Sequence, residues 1–87
     1  MRAKVTVTLK REVLDPQGEA VRRSLAAVGL TGVGEVRVGK VIELDLPPEM
    51  LPAEAQVAVE RAADKLLANP VIEDWKVEIA PTEVPPQ

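Results

Sequence analysis

The 87-residue chain contains no His and no Cys, which removes the usual neutral-pH acid–base group, the thiolate nucleophile and the commonest metal ligands. Any catalysis has to rest on carboxylates, Lys, Arg, Ser or Thr. The carboxylates are spread along polar faces as ordinary surface charge is, and no nucleophile and base fall at a spacing that pairs them. One run has the outline of phosphate chemistry. Gly34-x-x-x-x-Gly39-Lys40 satisfies most of a P-loop, in which backbone amides and a Lys hold phosphates ahead of a helix. Its context is wrong, because Val41 stands where a magnesium-binding Ser or Thr is needed and β-patterned residues follow where a helix must begin. The residues therefore point to binding rather than to independent catalysis.

Two groups of residues resist a purely local explanation. In Val13-Leu-Asp-Pro-Gln-Gly18, Asp15 is a good N-cap and Pro16 suits the first helical position. Gln17 and Gly18 are not asked for by capping, and a Gly in the first turn costs about 1 kcal/mol relative to Ala. In the second group, Lys40 interrupts an apolar face beside Gly39, with Arg37 close by in sequence. A solvated turn is the plain reading of that pair. Glu73 shares the phase of Trp75, Val77 and Ile79, so an acidic group on an inward face implies an ion pair with Arg37 or Lys40, or a subunit contact. Trp75, the sole aromatic residue, reads as a core or interface anchor.

The elements that must position these residues follow from hydrophobic period. Val5, Val7 and Leu9 alternate with Lys4, Thr6, Thr8 and Lys10, which predicts a half-buried first strand. Val21, Leu25 and Val28 then recur at helical spacing, so a helix is expected over Pro16 to Val28 with Gly29 as its left-handed terminator. Leu30 to Gly34 reads as a loop. From Gly34 to Leu46 the residues Val36, Val38, Ile42, Leu44 and Leu46 keep one phase. That phase disfavours a two-residue hairpin at Gly39-Lys40 and leaves an open, bulged hairpin or one long strand bent at Gly39. A strand of about 13 residues would span roughly 43 Å, more than so short a chain can cover alone. Its far half would need another subunit, with Val36, Val38, Ile42, Glu73 and Trp75 as the interface.

Pro47, Pro48 and Pro52 end that strand and open a second helix near Ala53, whose expected buried stripe is Ala55, Val59, Ala62 and Leu66. Asn69-Pro70 stops it, and Val71 to Ile79 is the last strand. The resulting order, βα then one long or two short strands then αβ, predicts an α+β fold, a ferredoxin-like two-layer sandwich with both helices on one face of the sheet. Residues 1–80 form the single domain expected, and the proline-rich 81–87 a disordered or extended tail.

Eleven basic residues against fourteen acidic ones, with a pI near 4.9, leave no positive excess for nucleic acid or an anionic membrane. No leader-like apolar segment opens the chain, and no stretch approaches the ~20 apolar residues of a membrane span. A cytoplasmic location is expected. The single Asn, absent Cys and many Ala, Pro, Glu and Arg are similar to a thermophile's composition.

Three segments together carry a resemblance. Lys4 to Lys10 with Val13-Leu-Asp-Pro-Gln-Gly18, then Val36-Arg-Val-Gly-Lys-Val-Ile-Glu-Leu44, then Leu66-Leu-Ala-Asn-Pro-Val-Ile-Glu-Asp74, resemble the small PurS subunit of phosphoribosylformylglycinamidine synthase over nearly the whole chain. Trp75 stands where that family is expected to carry Tyr. The resemblance implies a non-catalytic subunit of a de novo purine synthesis complex that converts formylglycinamide ribonucleotide, ATP and glutamine into formylglycinamidine ribonucleotide, ADP, phosphate and glutamate. It implies a synthetase subunit and a glutaminase subunit as partners, a homodimer or homotetramer of this chain, and support of ammonia transfer between the two active sites. ATP and magnesium are implied on the synthetase, and no cofactor on this chain. Asp15, Pro16, Gln17, Gly18, Arg37, Gly39 and Lys40 are then the expected partner-facing residues. The rival from another class is an amino-acid-sensing regulatory module of the ACT type, for which the Thr31 to Gly34 loop would serve as a ligand loop.

Overall fold

The computed structural model describes residues 1–80. Alternation places Ala3, Val5 and Val7 on one face of a first strand, β1 (Arg2–Leu9), where all three are buried. The chain then enters α1 (Pro16–Leu25), tightens into a 3₁₀ turn over Ala26–Val28, and ends on Gly29 at φ 92°, the left-handed terminator expected. Strand β2 (Lys40–Asp45), helix α2 (Pro52–Ala62) with a π turn over Ala63–Leu67, and strand β3 (Glu73–Ala80) complete the order. The sheet has the order β2-β1-β3, and both pairings with the central strand are antiparallel. This is the α+β, ferredoxin-like architecture that the period pattern implies, except that of the two helices expected on one face of the sheet only α2 contributes to the core, α1 being held through its N-terminal end.

The core lies between the sheet and α2. Val59, Ala63 and Ala68 close over Ala3, Val5 and Val7, and Ile42, Leu44, Leu46, Leu67, Trp75, Val77 and Ile79 pack around them. Small side chains on α2 allow the close approach. The buried stripe is Ala55, Val59 and Ala63, with Ala62 half-buried and Leu66 81% exposed. The helical spacing put Leu66 inside, and the π turn is the reason it is not. The Ala68 N–H donates to the Ala63 carbonyl at 2.9 Å, five residues back, which rotates Leu66 outward and turns Leu67 to the core. At the other end of α2, the Leu51 N–H donates to Glu54 Oε1 at 2.9 Å and gives the helix its N-terminal cap.

The middle of the chain departs from both expected arrangements. Only Lys40 to Asp45 pairs as a strand, and residues 34–39 make neither a hairpin nor the upper half of a long strand. Pairing with β1 stops at Val7 opposite Lys40. Immediately before that point Gly39 lies so close to β1 that a Cβ on it would come within 2.7 Å of the Val7 carbonyl oxygen. The chain then leaves the sheet plane toward the start of α1. The proline-rich tail expected over 81–87 lies outside the described residues. No helix among the described residues is long and apolar enough to cross a membrane.

The rotation at the π turn separates two residues that sequence spacing treats alike. Val59→Ala should lower unfolding stability by about 1–3 kcal/mol through cavity formation, whereas Leu66→Ala should stay within about 0.5 kcal/mol. Urea denaturation of the two variants followed by circular dichroism checks this.

Candidate functional site

Asp15 is the organising residue, and it is 6% exposed, the buried charged residue of the described chain. One carboxylate oxygen, Oδ1, accepts from the Gly18 N–H at 2.7 Å, which is the N-cap bond expected from its position. The other, Oδ2, accepts from the Val38 N–H at 2.8 Å, 23 residues away. A single side chain thus clips the start of α1 to the segment leading into β2. These two backbone donors, Val38 first and Gly18 second, hold the Asp15 carboxyl below the ordinary carboxylate range, with the Arg37 guanidinium helping.

Gly18 has its explanation in the same clip. A Cβ there would sit 2.0 Å from the Val36 carbonyl oxygen, so the first turn of α1 lies against the backbone of residue 36 at a distance open only to glycine. Gly39 is likewise a residue of close approach, in its case to β1. Arg37 reaches back along the chain: its Nη2 donates to the Lys10 carbonyl at 2.8 Å, and its Nη1 lies 3.5 Å from Glu35 Oε2. Lys10 in turn donates to Asp74 Oδ1 at 2.7 Å, and that bond together with the neighbouring charge raises its pKa. Arg22 pairs with Glu19 one turn into α1, which lowers the Glu19 pKa.

Four of the seven residues expected to face a partner, Asp15, Gln17, Gly39 and Lys40, line one cavity of about 240 Å³ together with Val7, Leu9, Val38 and Glu73. A second cavity of about 260 Å³ lies on the other side of the clip and includes Asp15, Val36 and Arg37. Pro16 is exposed at the first position of α1. Sequence separation therefore hid a single corner, built where the two unexplained groups meet.

Glu73 behaves differently from the ion pair its phase implies. Among the described residues neither Arg37 nor Lys40 forms an ion pair with it; its Oε1 accepts the Asn69 N–H at 2.7 Å and so closes the turn that follows α2. Trp75 is tied within the chain, its Nε1 donating to Glu60 Oε1 at 3.0 Å while its ring packs on the core cluster. Val36 and Val38 are half-buried beside the clip, and Ile42 packs on the core. The Val38 donor to Asp15 had no signal in the sequence, because a backbone N–H has no residue type to read. Among the described residues, no three acidic, His or Cys side chains converge as a metal site would require.

Fold and corner together define a small ferredoxin-like α+β chain organised by a carboxylate clip at the junction of α1 and β2. The family model described as PurS, phosphoribosylformylglycinamidine (FGAM) synthase, matches residues 2–81, and the chain belongs to that family. A PurS subunit of FGAM synthase from Bacillus subtilis is 44% identical over 78 residues, which cover 90% of each chain. The crystal structure of Methanocaldococcus jannaschii PurS, one of the subunits of formylglycinamide ribonucleotide amidotransferase in the purine biosynthetic pathway, superposes with a TM-score of 0.82 at 35% identity, over 94% of this chain and 98% of that one. A chain in the structure of PurLQS from Thermotoga maritima superposes with a TM-score of 0.78 at 31% identity, over 88% of this chain and 93% of that one.

Two outcomes test the clip. Helix propensity predicts that Gly18→Ala stabilises α1 by about 1 kcal/mol; the Val36 carbonyl predicts the opposite sign, a loss of about 1–3 kcal/mol from overpacking, readable as a lower urea midpoint. Asp15, whose pKa is depressed on folding, contributes stability that is complete above the unfolded carboxylate range and is lost as pH falls through its folded value. Asp15→Asn should therefore be less stable than the parent at neutral pH and should lose less on acidification, as thermal melts at a series of pH values will show.

Proposed function

We propose that this chain is the small bridging subunit of the FGAM synthase complex, holding a glutaminase subunit and a synthetase subunit in register so that ammonia passes between them. The observation that carries the reading is the likeness to the chain within PurLQS, together with membership of the PurS family. The physical need for such a subunit is plain. Ammonia released into neutral water is mostly protonated and no longer a nucleophile, so the site that makes it and the site that uses it have to be joined by a sheltered path. ATP and magnesium belong on the synthetase subunit in this reading, the location is cytoplasmic, and neither nucleic acid nor membrane is a partner.

The docking surface is the corner at the junction of α1 and β2. Asp15, Gly18, Arg37 and Gly39 shape it through the contacts described above, and Pro16, Gln17 and Lys40 present themselves at its surface. Neither the Gln17 amide nor the Lys40 ammonium has a hydrogen-bond or ion-pair partner in the described chain. Such groups are available to a second protein without breaking anything in the first.

Self-association belongs to the same proposal. Val21, Val28 and Leu30 on and after α1 are 40%, 78% and 52% exposed, and the α2 flank bearing Val57, Ala58 and Ala62 lines an open apolar groove. The Cα radius of gyration of 16.7 Å exceeds the ~12 Å of a compact domain of this length. One copy thus leaves uncovered both a face of α1 and the apolar flank of α2, and a second copy supplies the complement to each. Residues 34–39, which pair with no strand in the described chain, lie at the same junction.

Formation of formylglycinamidine ribonucleotide by the cognate synthetase and glutaminase should require this chain when glutamine is the nitrogen donor and not when ammonia is; independence of both reactions from the chain would overturn the proposal. The double variant Gln17→Ala, Lys40→Ala should bind the partner subunits at least about tenfold more weakly with an unchanged melting temperature. Val28→Glu should shift the chain toward monomer in light scattering, since a charge on a face buried between copies is strongly unfavourable.

A further inference from the structure

The cavity of about 240 Å³ at the α1–β2 corner also brings together two side chains of opposite charge. Lys40 and Glu73 both line it, carry opposite charges, and form no ion pair with each other, although Lys40 has no other partner in the described chain. Glu73 accepts the Asn69 N–H with Oε1 alone, which leaves Oε2 available. Asp15 also lines the space, yet both its oxygens are occupied by backbone N–H groups. What the cavity offers is therefore one free cation, one free carboxylate oxygen and the Gln17 amide, over an apolar floor of Val7, Leu9 and Val38. Two opposite charges that line one cavity without pairing are complementary to a molecule that carries both charges itself. At this volume the space lies below the ~300–1,000 Å³ of sites for drug-sized ligands, which excludes a nucleotide and suits a metabolite of amino-acid size.

We propose that this cavity binds a free α-amino acid, with its carboxylate on the Lys40 ammonium and the Gln17 amide, its ammonium on Glu73, and its side-chain methylenes against Val38 and Leu9. Both ends of the zwitterion are charge-assisted contacts, and neither displaces an existing hydrogen bond of the chain. The site does not depend on the bridging role. It lies at the same corner, so amino-acid occupancy would alter the surface presented to a partner.

Trp75 is the sole aromatic side chain, and it stands on the same face of β3 two residues from Glu73, so intrinsic fluorescence of the full chain reports on the site. Titration with L-glutamine, L-glutamate and glycine should give a saturable change with at least one of them. N-acetyl-L-glutamine and L-glutamine amide, each lacking one charge of the zwitterion, should bind at least about tenfold more weakly than L-glutamine, the loss of one charge-assisted contact. Lys40→Met should weaken binding by a similar factor, and it keeps the fold because the Lys40 side chain has no partner among the described residues while its backbone pairing with Val7 is retained. Glu73→Gln retains an acceptor for Asn69 and should also weaken binding. No saturable response to any of the three amino acids, an equal response to the N-acetylated compound, or undiminished binding by Lys40→Met would each overturn the site. A chain that supports the glutamine-dependent reaction without binding amino acids overturns this inference and leaves the bridging role intact. Binding by a chain that does not support that reaction overturns the bridging role instead.

Discussion

The structure depends on one buried carboxylate that must find two donors. An ionised Asp at 6% exposure is tolerated only where its oxygens are hydrogen-bonded, and the two N–H groups that satisfy Asp15 come from elements otherwise unconnected. Gly18 belongs to the first turn of α1, and Val38 to the approach to β2. Satisfying the charge therefore fixes where the helix starts relative to the sheet. The close contacts at Gly18 and Gly39 follow from this constraint, since the backbones being drawn together leave no room for a Cβ on either side. Arg37 follows as well: once residues 36–38 are held at the clip, its guanidinium reaches the Lys10 carbonyl and steadies the exit of β1.

The rest of the molecule divides accordingly. On one side, α2 and the apolar face of the sheet form a conventional two-layer core, closed at its ends by the Leu51–Glu54 cap, the π turn and the Asn69–Glu73 bond. On the other side, α1 is anchored through its N-terminal end and leaves Val21 and Val28 exposed. A small domain has little interior to spend on every helix. Here α2 covers the sheet, and α1 keeps apolar residues exposed.

That division gives the bridging role a physical form. A subunit that links two others needs a rigid frame and surfaces that lose nothing when covered. The core and the clip supply the frame. In the proposed role, exposed apolar positions on α1 and the Gln17 and Lys40 side chains, unpartnered among the described residues, are the surfaces, because covering them breaks no internal bond. The proposed amino-acid site, lined by Lys40 and Glu73, lies at that same surface.

Local pattern alone determined the strands β1 and β3, both helices with their Asp15 and Gly29 boundaries, the inward phase of Trp75, Val77 and Ile79, and membership of a family carried by contiguous strings. These are properties of neighbouring residues, set by side-chain period and by backbone preference at caps and turns. Tertiary structure decided what depends on contacts far apart in sequence. It placed Gly18 against the Val36 carbonyl, gave Asp15 its second donor at Val38, and turned Glu73 to Asn69 rather than to Arg37 or Lys40. It also ended the middle strand at Lys40 and moved Leu66 out of the buried stripe through the π turn. In each case the deciding partner is a backbone N–H or C=O, and every residue type carries the same backbone groups, so their pairing across the fold leaves no mark in the sequence.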